Sequence, residues 1–209
     1  MDIAIIGAGN VGRALAGSAS RAGHTVAVSS TDPQQAQAAA QATGARAARS
    51  NREAIDGAQI VILAVPYNAV EGIIAEAGGA LDGKIVVDVT NRLNVDNPAA
   101  AIDGTSNAEQ IQARLPNAHV VKAFNTAFAA RQADPVVDGV HLDGFVAGDD
   151  ADANAAVLEL VRSIGFRPID AGGLGMARAL EAMGLLNITL QIRNGWPWQD
   201  GWKLIGPTG

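Results

Sequence analysis

The chain has 209 residues, with 15 Lys and Arg against 21 Asp and Glu, a formal net charge of -6, and no cysteine. That length supports one large domain without a covalent staple, because chains of this size bury roughly 70% of the surface they expose when unfolded. The missing cysteines exclude disulfides, thiolate metal sites and a cysteine nucleophile, and the lack of a basic stripe argues against a nucleic-acid partner.

The first residues run directly into a short apolar strand, Ile3 to Ile6. No basic segment and no long apolar run precede it, so no export signal is read there. A helix is predicted over residues 10 to 22 through Val11, Leu15 and Ala19, then a strand at Val26 to Val28. Pro33 to Thr43 reads as a helix opened by proline and capped by Asp32. Ile60 to Val65 is a six-residue apolar run ended by Pro66, the pattern of a central strand covered on both faces. A helix follows through Val70, Ile73 and Ile74, and Ile85 to Val89 is a further buried strand. After a long polar loop from Asn91 to Ser106 come a helix at Ala108 to Leu115 and a strand at His119 to Val121. Gly144 to Ala147 reads as a strand, Ala151 to Ile164 as an amphipathic helix, Phe166 to Ile169 as a last strand and Ala177 to Ile192 as a long apolar helix. Asn194 to Gly209 is a tail rich in Gly, Pro and Trp.

Strands alternating with helices predict an α/β fold, a doubly wound Rossmann-type parallel sheet with a small C-terminal helical extension. The division expected is a dinucleotide-binding domain over residues 1–170 and a dimerisation and substrate part over residues 171–209. No stretch approaches the ~20 apolar residues of a spanning helix, so a cytoplasmic chain without a membrane partner is expected.

Gly7-Ala8-Gly9-Asn10-Val11-Gly12 directly follows the first strand and opens the first helix. That context turns a common glycine pattern into a dinucleotide site. Gly7 permits the tight turn, Gly9 lets backbone approach a pyrophosphate, and Gly12 lets the helix lie close to the strand. The helix N-terminus offers free N–H groups and a positive dipole end to the phosphates, with Asn10 and Val11 as the first donors. Cofactor choice is read after the second strand. Ser29, Ser30 and Thr31 carry hydroxyls where NAD enzymes often place a carboxylate, which favours NADP. Other strand ends supply Ala64, Val65 and Pro66, then Asn91, then Asn125 and Thr126. The first five are candidate cofactor contacts and Thr126 a candidate substrate contact, because ligands of such sheets bind at the carboxyl ends of strands.

No acid–base machinery is visible. His24, His119 and His141 sit at loop or strand-start positions, no cluster suggests a metal, and Lys122 is read as a structural ion pair or a catalytic lysine. Hydride transfer between flat rings needs alignment and exclusion of water more than a base, whereas alcohol oxidation needs one. All three tryptophans fall in Trp196-Pro197-Trp198-Gln199-Asp200-Gly201-Trp202. Trp196 and Trp198 are candidate walls for a planar substrate, or simply packing. The apolar helix before them, with Leu180, Leu186 and Leu190, predicts a homodimer interface.

In order along the chain, Ile5 to Gly12, Ala22-Gly23-His24, Ala64-Val65-Pro66, Val87 to Asn91, Val121-Lys122-Ala123-Phe124-Asn125-Thr126, Ala147-Gly148-Asp149-Asp150 and Gly165 to Gly172 resemble the NADP oxidoreductases that use the deazaflavin coenzyme F420. The same stretches resemble the cytosolic NADPH-flavin domain of the STEAP-type metalloreductases. The resemblance implies a Rossmann domain, a homodimer, and hydride exchange between NADP(H) and a deazaflavin or a flavin such as FMN or FAD. Relatives of this kind often carry Ser-Arg at the 2′-phosphate position, where this chain has Ser30-Thr31. The alternatives are a dinucleotide-binding sensor without chemistry, or a small-imine reductase.

Overall fold

Apolar runs of four to six residues bounded by glycine, proline or a helix cap form the strands at the centre of the computed structural model, which describes residues 1–93 and 103–207. In chain order the elements are β1 (Asp2–Ile6), α1 (Asn10–Arg21), β2 (Thr25–Ser29), α2 (Pro33–Thr43), β3 (Arg46–Ala47), α3 (Asn51–Ile55), β4 (Ile60–Leu63), α4 (Tyr67–Ala77) and β5 (Ile85–Asp88). Then come α5 (Asn107–Arg114), β6 (His119–Ala123), α6 (Ala129–Ala133), β7 (Val136–Val137), β8 (Val140–His141), β9 (Asp143–Gly148), α7 (Ala151–Ser163), β10 (Arg167–Gly172) and α8 (Ala177–Asn194). Of the two irregular regions read from the sequence, residues 94–102 and 208–209 lie outside the described residues.

One sheet runs β10-β9-β6-β5-β4-β1-β2-β3. The pairings from β3 across to β6 are parallel, as expected of a doubly wound fold. β9 is antiparallel to β6, with Lys122 opposite Ala147, and β10 follows β9 in parallel. The doubly wound, mostly parallel sheet expected is thus present, with one antiparallel pairing that the sequence did not signal. Between β6 and β9 the chain forms only the five-residue α6 and the β7–β8 hairpin, so it returns down the sheet without a helical crossover.

Side chains of each central strand alternate between two apolar layers. Ile3 and Ile5 of β1, with Ile60 and Ile62 of β4, face α1, α2 and α7. Ala4, Ile6, Val61 and Leu63 face α3, α4 and α5. Burial on both faces is why these strands read as unbroken apolar runs. Helix ends follow local chemistry. Asp32 accepts from the amide of Gln34 at 2.9 Å and Gly44 closes α2 at φ 76°. Asp150 caps α7 through the amide of Ala153 at 2.8 Å, and Ser106 with Glu109 closes a reciprocal cap on α5.

The C-terminal part departs from expectation in two ways. The expected division after residue 170 falls inside β10. Helix α8, read as apolar nearly all round, buries Leu180 and Leu185 together with Glu181, Asn187 and Gln191, while Leu186 is 50% and Ile192 59% exposed. The tail folds back on its own sheet. Trp202 packs, as Ile169 does, against the cluster of Phe145, Ala147 and Leu180. Asp143 at the start of β9 accepts from the amide of Leu204 and pairs with Arg167 and Lys203.

Candidate functional site

Backbone sterics build one end of the site. Gly7 sits at φ 115°, a region side chains avoid, and a Cβ on it would lie 2.3 Å from the carbonyl oxygen of Ala64. A Cβ on Gly12 would come within 1.9 Å of the carbonyl oxygen of Gly7. Gly12 therefore lets α1 close onto the turn itself, a tighter approach than the helix-to-strand contact expected. A Cβ on Gly9 would meet nothing within 4 Å. Gly9 is also the N-cap of the twelve-residue α1 and offers no side-chain cap, so the first amides face that open space. Asn10 is exposed, and its amide oxygen accepts from Arg13 at 3.1 Å. This cradle of uncapped amides around an empty volume fits a pyrophosphate.

At the end of β2 the three hydroxyl residues separate. Ser29 shares the face of Ala27, is fully buried, and donates to Asn51 of α3 at 2.7 Å. Its hydroxyl is turned away from the open edge where a ribose phosphate contact was expected. Ser30 is half-buried and accepts from the amide of Asp32, and Thr31 is exposed.

A cavity of about 690 Å³ opens at the carboxyl ends of β4 and β5. It is lined by Val65, Pro66, Tyr67, Asn68, Thr90, Asn91, Arg92, Leu93, Asn107 and Gln110. None of these is a carboxylate, an imidazole or a lysine. Tyr67 donates to Gln110 at 2.7 Å, and the carbonyl of Thr105 holds Arg92 at 2.8 Å. Ala64, whose amide bonds Ile6 at 2.8 Å, joins the cavity to the glycine turn.

Asn91 and Asn125 meet. The Asn91 side-chain amide donates to the Asn125 carbonyl at 2.8 Å, and the Asn125 side-chain amide donates back to Asn91 Oδ1 at 2.8 Å and to the Leu180 carbonyl at 2.8 Å. Gly184 of α8 packs against Asn91 so closely that a Cβ would lie 2.4 Å from its Oδ1. Asn125 Oδ1 is buried and has no partner among the described residues. Thr126 beside it is also buried. Trp196 and Trp198 do not line the cavity. Trp198 meets Phe128 edge-to-face at 5.1 Å between centroids, and its amide donates to Gln191.

Three features were not evident from the sequence: the backbone of Phe124, the partners of Lys122 and the short strand β3. Phe124 adopts φ 63°, rare for a bulky residue, where the chain turns off β6 to aim Asn125 at Asn91. Its carbonyl is held by Gln132 at 3.1 Å and its ring lies 6.4 Å from Phe166. Lys122 resolves to the structural reading. Fully buried, it contacts Asp88 Oδ2 and Glu181 Oε1, each at 2.8 Å. Burial pushes the Glu181 carboxyl up despite the ammonium beside it. Glu181 also accepts from the amide of Asn107, which itself donates to Thr90, so the charge cluster sits directly beneath the cavity. On the other side of α8, Arg178 binds Glu109 through two hydrogen bonds, of 2.6 and 2.8 Å, and holds its carboxyl down at about 2. The third feature is β3, whose two residues carry no periodic signal and which brings Arg49 alongside the end of β2.

Comparison with known proteins gives consistent relatives. Residues 2–92 match the family model described as NADP oxidoreductase, coenzyme F420-dependent. The F420-dependent NADP reductase of Methanothermobacter marburgensis is 32% identical over 93% of this chain and 94% of its own. Metalloreductase STEAP3 of Rattus norvegicus is 32% identical over 88% of this chain, which spans 36% of that protein's length. A crystal structure from Arthrobacter sp. FB24, named for an F420-dependent NADP-reductase, superposes with a TM-score of 0.85 at 32% identity and covers 99% and 100% of the two chains.

Proposed function

The chain belongs to the family of coenzyme F420-dependent NADP oxidoreductases, and from that premise we propose that it exchanges hydride between NADP(H) and a deazaflavin coenzyme, with FMN or FAD as slower partners. The cofactor would lie across the glycine turn, with its pyrophosphate on the amides of Asn10 and Val11 and its ribose phosphate near Ser30 and Thr31. Its nicotinamide would reach past Ala64, Val65 and Pro66 toward Asn91 and Asn125. When bound, the reduced nicotinamide supplies a hydride. This chain's residues align the two rings and keep water out.

The observation that carries the reading is the cavity lining. A site whose described walls hold no carboxylate, imidazole or lysine suits exchange between two redox rings and lacks the base that an alcohol substrate needs. Asn125 Oδ1, buried and unpartnered, offers an acceptor to an amide such as a carboxamide at the end of β6. The test is purified protein with NADPH and, separately, coenzyme F420, FMN and FAD. The reading predicts loss of nicotinamide absorbance, fastest with the deazaflavin. NADPH that binds yet survives all three coenzymes would support the sensor instead.

The homodimer is part of the proposal. Leu186 and Ile192 of α8 and the half-exposed Trp196 and Trp198 form its face. In light scattering a stable monomer at micromolar concentration would remove it, and a dimer that survives Trp198→Ala with lost turnover would restore the tryptophan as a pocket wall.

A further inference from the structure

We propose that Arg49, delivered to the end of β2 by the short strand β3, supplies the cationic contact to the 2′-phosphate of NADP(H), in competition with its own neighbour Glu53. The inference rests on the NADP-dependent reading above.

The end of β2 is short of positive charge. Residues 29 to 31 are Ser-Ser-Thr, and the carboxylate of Asp32 is turned onto the amides of α2. Hydroxyls alone leave a phosphate charge unmatched, and sites of this kind recruit a nearby arginine. β3 provides one from outside the local sequence. It pairs in parallel with β2, Ala27 opposite Arg46 and Val28 opposite Ala47. The next amide, of Ala48, donates to the Val28 carbonyl at 2.8 Å. Two residues beyond Arg49, the side chain of Asn51 accepts from Ser29 at 2.7 Å. Arg49 is thus pinned on both sides against the last residues of β2.

Its side chain is poised for exchange. It is 92% exposed and, among the described residues, its guanidinium is engaged by Glu53 alone, with Nε 2.8 Å from Oε2. An exposed pair four residues apart on a helix edge is weak, whereas arginine on a phosphate forms short, charge-assisted, paired hydrogen bonds. Glu53 is not stranded when Arg49 leaves, because Arg46 holds its other oxygen at 2.9 Å. The Thr31 hydroxyl, two residues past the end of β2, is exposed and forms no hydrogen bond among the described residues.

The competition gives the test two signs. Calorimetric affinities for NADPH and NADH are compared in the intact protein and three variants. Arg49→Ala is expected to weaken NADPH by about tenfold or more and to leave NADH within about twofold. Glu53→Gln, which frees the guanidinium, is expected to tighten NADPH by a few fold with NADH unchanged. Arg46→Ala, which loosens the same carboxylate without touching the phosphate, is expected to leave NADPH within about twofold. Equal weakening of both cofactors in Arg49→Ala, unchanged NADPH affinity in that variant, or weaker NADPH binding in Glu53→Gln overturns the inference alone. An unmodified protein that binds NADPH no tighter than NADH overturns the NADP reading along with it.

Discussion

From Gly7 to Gly12 the site is shaped by the absence of side chains. Around Lys122 it is shaped by side chains that water does not reach. At the glycine turn, six contiguous residues let backbone lie against backbone, and the open volume over Gly9 follows from local geometry. Beneath the cavity, Lys122 joins Asp88 and Glu181 across sequence separations of 34 and 59 residues, and Asn91 joins Asn125 across 34. The first device tolerates no added atom at two positions and welcomes one at a third. The second does not tolerate an unmatched buried charge. The two regions are in this way built by different physics.

The largest effect that would sharpen this contrast is Gly12→Val. With a Cβ driven against the Gly7 carbonyl, the variant is expected to lose more than about 4 kcal/mol and to fail to fold at room temperature, measured by denaturant unfolding. Gly9→Val, three residues away, is expected to melt near the parent temperature and bind no NADPH. A Gly9→Val protein that binds NADPH normally would break the contrast. At the other end, Lys122→Met leaves two carboxylates buried without their cation and is expected to cost about 3–5 kcal/mol. Asn125→Ala removes the donor to Leu180 and to Asn91 and is expected to cost about 1–3 kcal/mol in chemical denaturation, with turnover falling further than stability.

The smallest effect is a pair of opposite pH slopes, one at Glu109 of α5, which pairs with Arg178 of α8, and one at Glu181 of α8 itself. The Glu109 carboxyl is held down at about 2 by Arg178, so its contribution is present above the ordinary glutamate range and fades as pH falls from about 4.5 toward 2. Arg178 is half exposed, so this is worth about 0.5–1 kcal/mol, and Glu109→Gln should flatten the acid limb of the stability curve by that amount. Glu181 is shifted upward. Its contribution is complete below the ordinary range and lost as pH rises through its raised value, and Glu181→Gln should remove that loss. A stability profile unchanged by Glu109→Gln and by Glu181→Gln would contradict both slopes.

The same contrast decides what the sequence could show. The glycine turn, the helix from Pro33 to Thr43 with its Asp32 cap, and the apolar strands were legible because each signal is local and periodic. Ser29 faces inward because it shares the alternation of Ala27, which a strand read as ending at Val28 could not reveal. β3, α6, β7 and β8 have two to five residues each, too few for any period to appear. The reversal of β9 depends on where the chain leaves β6. The charge cluster depends on a helix 59 residues further on. Lys122 therefore stood out as a residue type, while its partners did not.

The central claim is direct hydride exchange with a deazaflavin ring, and isotope transfer tests it most directly. NADPH carrying deuterium at the transferring position of its nicotinamide is mixed with the protein and oxidised coenzyme F420, and the reduced coenzyme is analysed by mass and proton resonance. The accepting carbon of a deazaflavin does not exchange its hydrogen with water as a flavin nitrogen does. The account predicts one deuterium on that carbon for each NADPH oxidised. Reduced coenzyme without the label, or labelled NADPH left intact beside bound protein, would contradict it.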